Sequence, residues 1–134
     1  MNYILITGAS AGIGEVFAKQ LAQQGNNLVL TARRKEKLDS LARELSSLYK
    51  VQIETISADL ATSEGSQELA KQIAESGWQI NGLINNAGFG DRGSFTDLSL
   101  KRQLKMIQLN VTTLVDLTYR LHPDRERLRQ FLGL

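Results

Sequence analysis

The stretch that decides the fold lies close to the amino terminus and reads Thr7-Gly8-Ala9-Ser10-Ala11-Gly12-Ile13-Gly14. A short apolar run before it, residues 3–7, predicts a β-strand. The segment after it has the period of a helix, with its apolar face formed by Ile13, Val16, Phe17 and Leu21. The glycines therefore stand between a strand and a helix.

A glycine-rich turn in this position predicts a binding site for an anion. Gly8 permits the tight turn, Gly12 lets a phosphate approach the backbone, and Gly14 allows close packing where the helix begins. Free N–H groups at the start of the helix attract negative charge. A purely structural turn is the alternative, because a glycine-rich turn alone is weakly specific. A Walker A loop is excluded, since no Gly-Lys-Ser/Thr occurs.

Strand-like and helix-like segments alternate along the rest of the chain. Further strands are predicted at residues 27–32, 51–56 and 80–85. The second and third helices carry apolar residues at helical spacing, namely Leu38, Leu41, Ala42, Leu45 and Leu48, then Leu69, Ala70, Ile73 and Ala74. We expect Gly25 and Gly77 to end helices and Ser63 to cap one. A single long helix is predicted from Ser99 to about Leu121.

This alternation predicts the fold class. Four strand-helix repeats without hairpin signals favour parallel strands joined by right-handed crossovers. The expected fold is α/β, a Rossmann-type doubly wound parallel sheet that is truncated after about four strands. We expect one half-domain over residues 1–121 and an atypical charged tail over residues 122–134, because Pro123 ends the last helix and no fifth strand follows. The tail is either a short helix that closes a small domain or a stretch read out of frame.

Two arginines follow the second predicted strand. Arg33 lies 19 positions after Gly14, where a dinucleotide fold places the group that contacts the adenosine ribose. An NAD site would have an acidic residue here, whereas Arg33 and Arg34 offer guanidinium groups that suit a 2′-phosphate. The pattern favours NADP. A solvated basic stretch at a helix start is the alternative.

Polar turns also follow the third and fourth predicted strands. They are Asp59-Leu60 and Asn85-Asn86-Ala87-Gly88. Because ligands of open α/β sheets bind at the carboxyl ends of the strands, these turns and the glycine turn are expected to meet at one crevice. Each of them could equally be an ordinary turn when considered alone.

Together with Asn110-Val111, these motifs resemble the amino-terminal half of the short-chain dehydrogenase/reductase family over residues 1 to about 121. The resemblance implies that the pyrophosphate of NADP(H) rests on the turn formed by Gly8, Ser10, Ala11, Gly12, Ile13 and Gly14. It implies that Asp59 and Leu60 contact the adenine, that Arg33 with Arg34 selects NADP(H), and that the ribose is lined by Asn86, Ala87 and Gly88. Asn110 would be the active-site asparagine that kinks a helix and orders a water of the proton relay. From the residues alone, a hydrogen-bonded core asparagine fits Asn110 equally well.

The catalytic segment of that family is missing from the sequence. The family uses a serine and a tyrosine with a lysine four positions later. None of the three tyrosines, Tyr3, Tyr49 and Tyr119, has a lysine at that position. The resemblance implies an NADP(H)-dependent oxidoreductase that transfers hydride to or from carbonyls or alcohols. Because the catalytic segment is missing, we expect this chain to be inactive on its own. A non-catalytic remnant that binds a nucleotide or a partner is the alternative. A Rossmann-like methyltransferase is disfavoured, because it requires an acidic residue to bind a ribose near the end of the second strand, where Arg33 stands.

Composition narrows the remaining possibilities. The chain has 134 residues, with 16 Lys and Arg against 14 Asp and Glu and no basic run, so a nucleic-acid partner is not expected. The absence of Cys excludes disulfides and zinc-thiolate sites, and we expect no metal site. It also suits the reducing cytoplasm, which is the expected location. No apolar run approaches a membrane span. We expect self-association through an exposed edge near Gly82 and an apolar stripe between Leu100 and Leu121.

Overall fold

The computed structural model describes residues 1–121, and the tail at 122–134 lies outside the described residues. In chain order the elements are β1 (Asn2–Thr7), α1 (Gly12–Gln23), β2 (Leu28–Ala32), α2 (Lys35–Tyr49), β3 (Ile53–Ser57), α3 (Ser63–Ser76), β4 (Gln79–Ile84), α4 (Leu100–Ile107), a π-helical segment (Gln108–Thr113) and α5 (Leu114–Leu121). The four strands are parallel and lie in the order β3-β2-β1-β4. The predicted α/β fold with a doubly wound parallel sheet is confirmed.

Helices cover both faces of the central strands. Leu5 and Ile6 are adjacent in β1 and both fully buried, because successive strand residues face opposite sides of the sheet. Ile6 belongs to the cluster under α1 and α2, while Leu5 belongs to the cluster under α3 and α5. The chain turns from β3 back to the far side of β1 to form β4, which places a topological switch point between β1 and β4.

The predicted apolar face of α1 is wrong for three of its four residues, and Leu21 alone packs against the core. Ile13 is 69% exposed and Val16 52% exposed, with Phe17 also exposed, whereas the buried residues of α1 are Gly14, Ala18 and Ala22. A Cβ at Gly14 would overlap the carbonyl oxygen of Gly8, so the helix packs too close to the turn for a larger residue. Small residues therefore face the sheet, and the bulky ones are turned away from it.

The predicted end residues of the helices are mostly right. Gly25 and Gly77 have φ angles of +88° and +77° after α1 and at the end of α3, as expected of left-handed helix ends. The cap of α3 is wrong by one residue. Thr62 rather than Ser63 accepts the N–H of Gly65, at 3.0 Å, because Thr62 has the extended backbone that an N-cap requires.

The predicted long helix is interrupted. It runs as α4, the π segment and α5, and Ser99 caps its start by accepting the N–H of Arg102 at 3.3 Å. The apolar stripe along it is exposed, as predicted, at Leu100, Leu104, Ile107, Val111 and Leu114. The prediction is wrong for Leu121, which is half-buried and packs against the core. Thr113 and Leu117 are the residues of this helix that are buried against the sheet layer. Among residues 1–121, β4 has β1 as its one neighbouring strand, and no helix is long and apolar enough to cross a bilayer.

Candidate functional site

The glycine turn has the backbone that the sequence predicts. Gly8 and Gly12 have φ angles of +63° and +57°, a region that residues with a Cβ rarely adopt. Ala11 precedes the first turn of α1 and offers no side-chain cap to its N–H groups. The amides that open α1 are therefore available to an anion, at the positive end of the helix dipole.

A cleft of about 560 Å³ opens at the carboxyl ends of the strands. Eight of the residues predicted for the site line it, namely Gly8, Ser10, Arg33, Arg34, Asp59, Leu60, Ala87 and Gly88. The other predicted residues do not line it: Ala11, Gly12, Ile13, Gly14, Asn86 and Asn110. Gly14 and Asn86 lie directly behind the turn, and Ile13 is exposed on α1. Strand ends that are distant in sequence thus meet at one crevice.

Thr7 holds the glycine turn to the loop that follows β4. Its buried hydroxyl accepts the backbone N–H groups of Asn86 and Ala87, both at 2.9 Å. The Asn86 side-chain amide donates to the carbonyls of Thr7 and Gly8, at 3.2 and 3.1 Å. The side chain predicted for the ribose thus supports the turn. This role of Thr7 was not predicted from the sequence, although a hydroxyl at the end of a strand, directly before the glycine turn, is the sequence signal for it.

The loop after β3 is also held in place by hydrogen bonds within the protein. One carboxylate oxygen of Asp59 accepts the N–H of Ala61 at 3.0 Å. The Leu60 side chain is buried in the core, and its carbonyl accepts the hydroxyl of Thr113 at 2.6 Å. Thr113 belongs to the π segment, so this segment anchors the loop expected to face the adenine.

Asn110 lies in the middle of the π segment, where the family resemblance implies a kinked helix. Its side-chain oxygen accepts the N–H of Phe89 at 3.1 Å, and its side-chain nitrogen donates to the carbonyl of Phe89 at 2.8 Å. Asn110 is exposed, so the alternative of a core asparagine is wrong about its burial. A Cβ at Gly88 would lie 2.9 Å from the Asn110 oxygen, so the loop after β4 passes close to the helix.

Three basic residues of α4 also line the cleft, and sequence reasoning missed them. They are Lys101, Arg102 and Lys105. Arg102 forms an ion pair with Asp91 at 3.1 Å and stands 4.7 Å from the centre of the Phe89 ring. The spacing of the two lysines indicates that they share one face of a helix, but it does not indicate that this face borders the cleft. Among residues 1–121, no three His, Cys, Asp or Glu side chains are grouped in a way that could hold a metal ion.

The fold and the cleft define a Rossmann-type α/β protein whose candidate site lies at the switch point of the sheet. The family model for short chain dehydrogenases matches residues 2–128. The chain therefore belongs to the short-chain dehydrogenase family, and the resemblance inferred from its four motifs is confirmed.

Individual relatives extend this comparison. The very-long-chain 3-oxoacyl-CoA reductase of Vanderwaltozyma polyspora is 43% identical over 88 residues, which are 65% of this chain and 25% of that protein. The short-chain dehydrogenase of Sphingobium yanoikuyae, solved in complex with NADPH, is 35% identical with a TM-score of 0.85, over 98% of this chain and 50% of that one.

A third relative has the same fold. The alcohol dehydrogenase of Thermococcus sibiricus, complexed with 5-hydroxy-NADP, is 30% identical with a TM-score of 0.84, over 90% of this chain and 52% of that one. The present chain spans about half the length of the two solved relatives and a quarter of the reductase.

Proposed function

We propose that this chain binds NADP(H) in the cleft as the cofactor-binding part of an oxidoreductase that transfers hydride between the nicotinamide and a carbonyl or alcohol. The observation that carries the proposal is the meeting of the glycine turn, Arg33 and Arg34, Asp59, and the Asn-Ala-Gly loop at one cleft. The site residues keep the roles that the family resemblance implies. The two solved relatives are complexes with NADPH and with 5-hydroxy-NADP, which supports the same cofactor here.

The glycine turn suits a pyrophosphate. The space beside Gly12 is open: apart from its chain neighbours and the backbone of its own helix, no atom lies within 4 Å of the place where a Cβ would stand, so a ligand can approach this backbone. Each N–H at the start of α1 can donate to a phosphate oxygen, and the dipole of the helix adds about 0.3 to 2 kcal/mol. Contacts from several amides and the adenosine end must therefore supply most of the affinity.

The arginines after β2 suit the extra phosphate of NADP(H). Arg33 and Arg34 are exposed and line the cleft, and no ion pair engages either of them within residues 1–121. A 2′-phosphate carries about −1.5 to −2 charge at neutral pH, which two guanidinium groups can neutralise. NADP(H), rather than NAD(H), is therefore the proposed cofactor.

We expect this chain alone to bind the cofactor without turning over a substrate. Bound NADP(H) supplies the hydride, but the 134 residues contain neither the serine segment nor a Tyr-x-x-x-Lys pair to polarise the carbonyl and move the proton. Loss of positioned acid/base groups typically lowers rates by about 10²- to 10⁴-fold. In this proposal residues 1–121 form the half-domain that binds the cofactor. A cytoplasmic location is also proposed, because the lack of Cys suits a reducing compartment.

A second candidate function is that of a non-catalytic remnant that binds a partner through the apolar stripe. The stripe favours it, since Leu100 is 69% exposed and Val111 56% exposed. A second copy of the chain is the proposed partner, because a stripe of this kind can pack against itself. This candidate predicts self-association whether or not NADP(H) binds.

Titration of the chain with NADPH and NADH, followed by nicotinamide fluorescence, tests the proposal. We expect a Kd in the micromolar range for NADPH, which corresponds to about −8 kcal/mol, and weaker binding of NADH. Arg33→Ala should bring the two affinities together, while reduction of simple carbonyl compounds stays at background. If neither nucleotide binds the folded chain, the proposal is wrong. Measurable turnover would overturn the expected lack of a proton donor.

A further inference from the structure

The cleft carries more positive charge than the two arginines supply. Its described lining contains five basic side chains and a single carboxylate, that of Asp59. Three of the basic side chains come from α4, which follows β4 and is far in sequence from the arginines after β2. The excess of positive charge in this cleft therefore has two separate sources.

Lys101 and Lys105 are the members of the α4 group that are free to meet a ligand. Arg102 is already engaged by Asp91 and the Phe89 ring. Neither lysine lies within ion-pair distance of a carboxylate in the part of the chain that the structure describes. Both are exposed, and both also line an adjoining groove beside Glu64, which does not pair with them.

The placement of these lysines is unfavourable for the helix itself. They stand four residues apart, so two like charges share one face of α4, which costs about 0.2 to 0.5 kcal/mol. Lys101 is also in the first turn, where a cation opposes the helix dipole and no acidic residue compensates. An anion in the cleft would offset both effects.

We propose that Lys101 and Lys105 form a second part of the subsite for the phosphorylated adenosine end of NADP(H), and that they contribute to the preference for NADP(H) over NAD(H). This inference rests on the proposed function. NADP(H) differs from NAD(H) by the dianionic 2′-phosphate, so cations that line the same cleft as Arg33 and Arg34 discriminate between the two nucleotides by charge alone.

Conservative substitutions test this role. Lys101→Gln and Lys105→Gln keep a long stem and a similar helix propensity while removing the charge. Lys71→Gln is the matched control, because Lys71 is an exposed lysine of α3 outside the cleft. Each protein is titrated with NADPH and NADH, and with the fragments 2′,5′-ADP and 5′-AMP, in low and in moderate salt.

We expect the double variant to lose about tenfold in affinity for NADPH and 2′,5′-ADP, and at most about threefold for NADH and 5′-AMP. Lys101→Arg with Lys105→Arg should restore the affinity, and Lys71→Gln should match the wild type. The inference is wrong if the double variant weakens all four ligands equally or none of them while the wild type still prefers NADPH. If the wild type binds none of the four, the proposed function fails with it.

Discussion

The hydroxyl of Thr113 donates a 2.6 Å hydrogen bond to the backbone carbonyl of Leu60, across 53 residues of sequence. Thr113 is 2% exposed and lies three residues after Asn110 in the π segment. Asn110 in turn binds both backbone groups of Phe89. One irregular turn of helix therefore holds the loops that follow β3 and β4, and both loops line the cleft.

Replacement of Thr113 by valine should destabilise the protein and weaken cofactor binding together. The substitution keeps the shape of the side chain but leaves the buried Leu60 carbonyl without its donor, at a cost of about 1 to 3 kcal/mol. Urea unfolding measures the free energy of unfolding, and NADPH titration measures the affinity. Thr113→Ser should recover both, and Thr112→Val, at the exposed neighbouring position, serves as the control. Unchanged stability in Thr113→Val would contradict the prediction.

Gly14→Ala should damage the glycine turn. The added methyl group would overlap the Gly8 carbonyl and crowd the Asn86 side chain, and backbone there cannot move away cheaply. Overpacking of this kind costs about 1 to 3 kcal/mol. The expected result is a lower unfolding midpoint and at least a tenfold loss of NADPH affinity, about 1.4 kcal/mol. Gly90→Ala is the matched control, since open space surrounds that position, and a Gly14→Ala protein as stable as this control would refute the close packing.

Asp39→Asn should remove part of the acid sensitivity of the fold. The Thr55 hydroxyl at 2.7 Å and the Lys35 ammonium at 3.0 Å stabilise the Asp39 carboxylate and hold its pKa below the ordinary value of 3.8. A lowered pKa in the folded state stabilises the protein above pH 3.8, and this contribution is lost as the pH falls through the folded-state pKa.

Urea unfolding at about pH 6 and about pH 3 measures that contribution. The wild type should be more stable than Asp39→Asn at the higher pH, and the difference should shrink at the lower pH. Thr55→Val should behave like Asp39→Asn, because it removes the first cause of the lowered pKa. A stability difference that is the same at both pH values would rule this explanation out.

Self-association should depend on the apolar stripe. Leu104→Glu with Val111→Glu places charge in its middle, where the two residues are each 56% exposed, so folding should tolerate the change while association does not. Light scattering across a range of concentrations measures the mass. Phe95→Glu is the control, at a loop position 79% exposed and outside the stripe. A wild type that stays monomeric at high concentration would show that the stripe does not mediate association.

The local pattern of residues was enough to predict the architecture. The alternation of apolar periods predicted four parallel strands with helices between them, because each period reports how one segment repeats along its own axis. The glycines at positions 8, 12, 25 and 77 predicted turns or helix ends, and all four have positive φ angles, since that preference belongs to the residue itself. The spacing of the motifs likewise predicted that Arg33 and Asp59 lie at the carboxyl edge of the sheet, and both line the cleft there.

Tertiary structure decided what those periods face. The helical period of α1 predicted an apolar face with Ile13 and Val16, yet the buried face is formed by Gly14, Ala18 and Ala22. At Gly14 the nearby Gly8 carbonyl leaves no room for a side chain. The position of Lys101 and Lys105 at the cleft depends on where α4 packs after β4, and no local pattern records that. The Thr113–Leu60 bond likewise joins groups that are neighbours only in the folded chain. Local propensity determined the elements, whereas steric fit between distant segments determined the faces and the site walls.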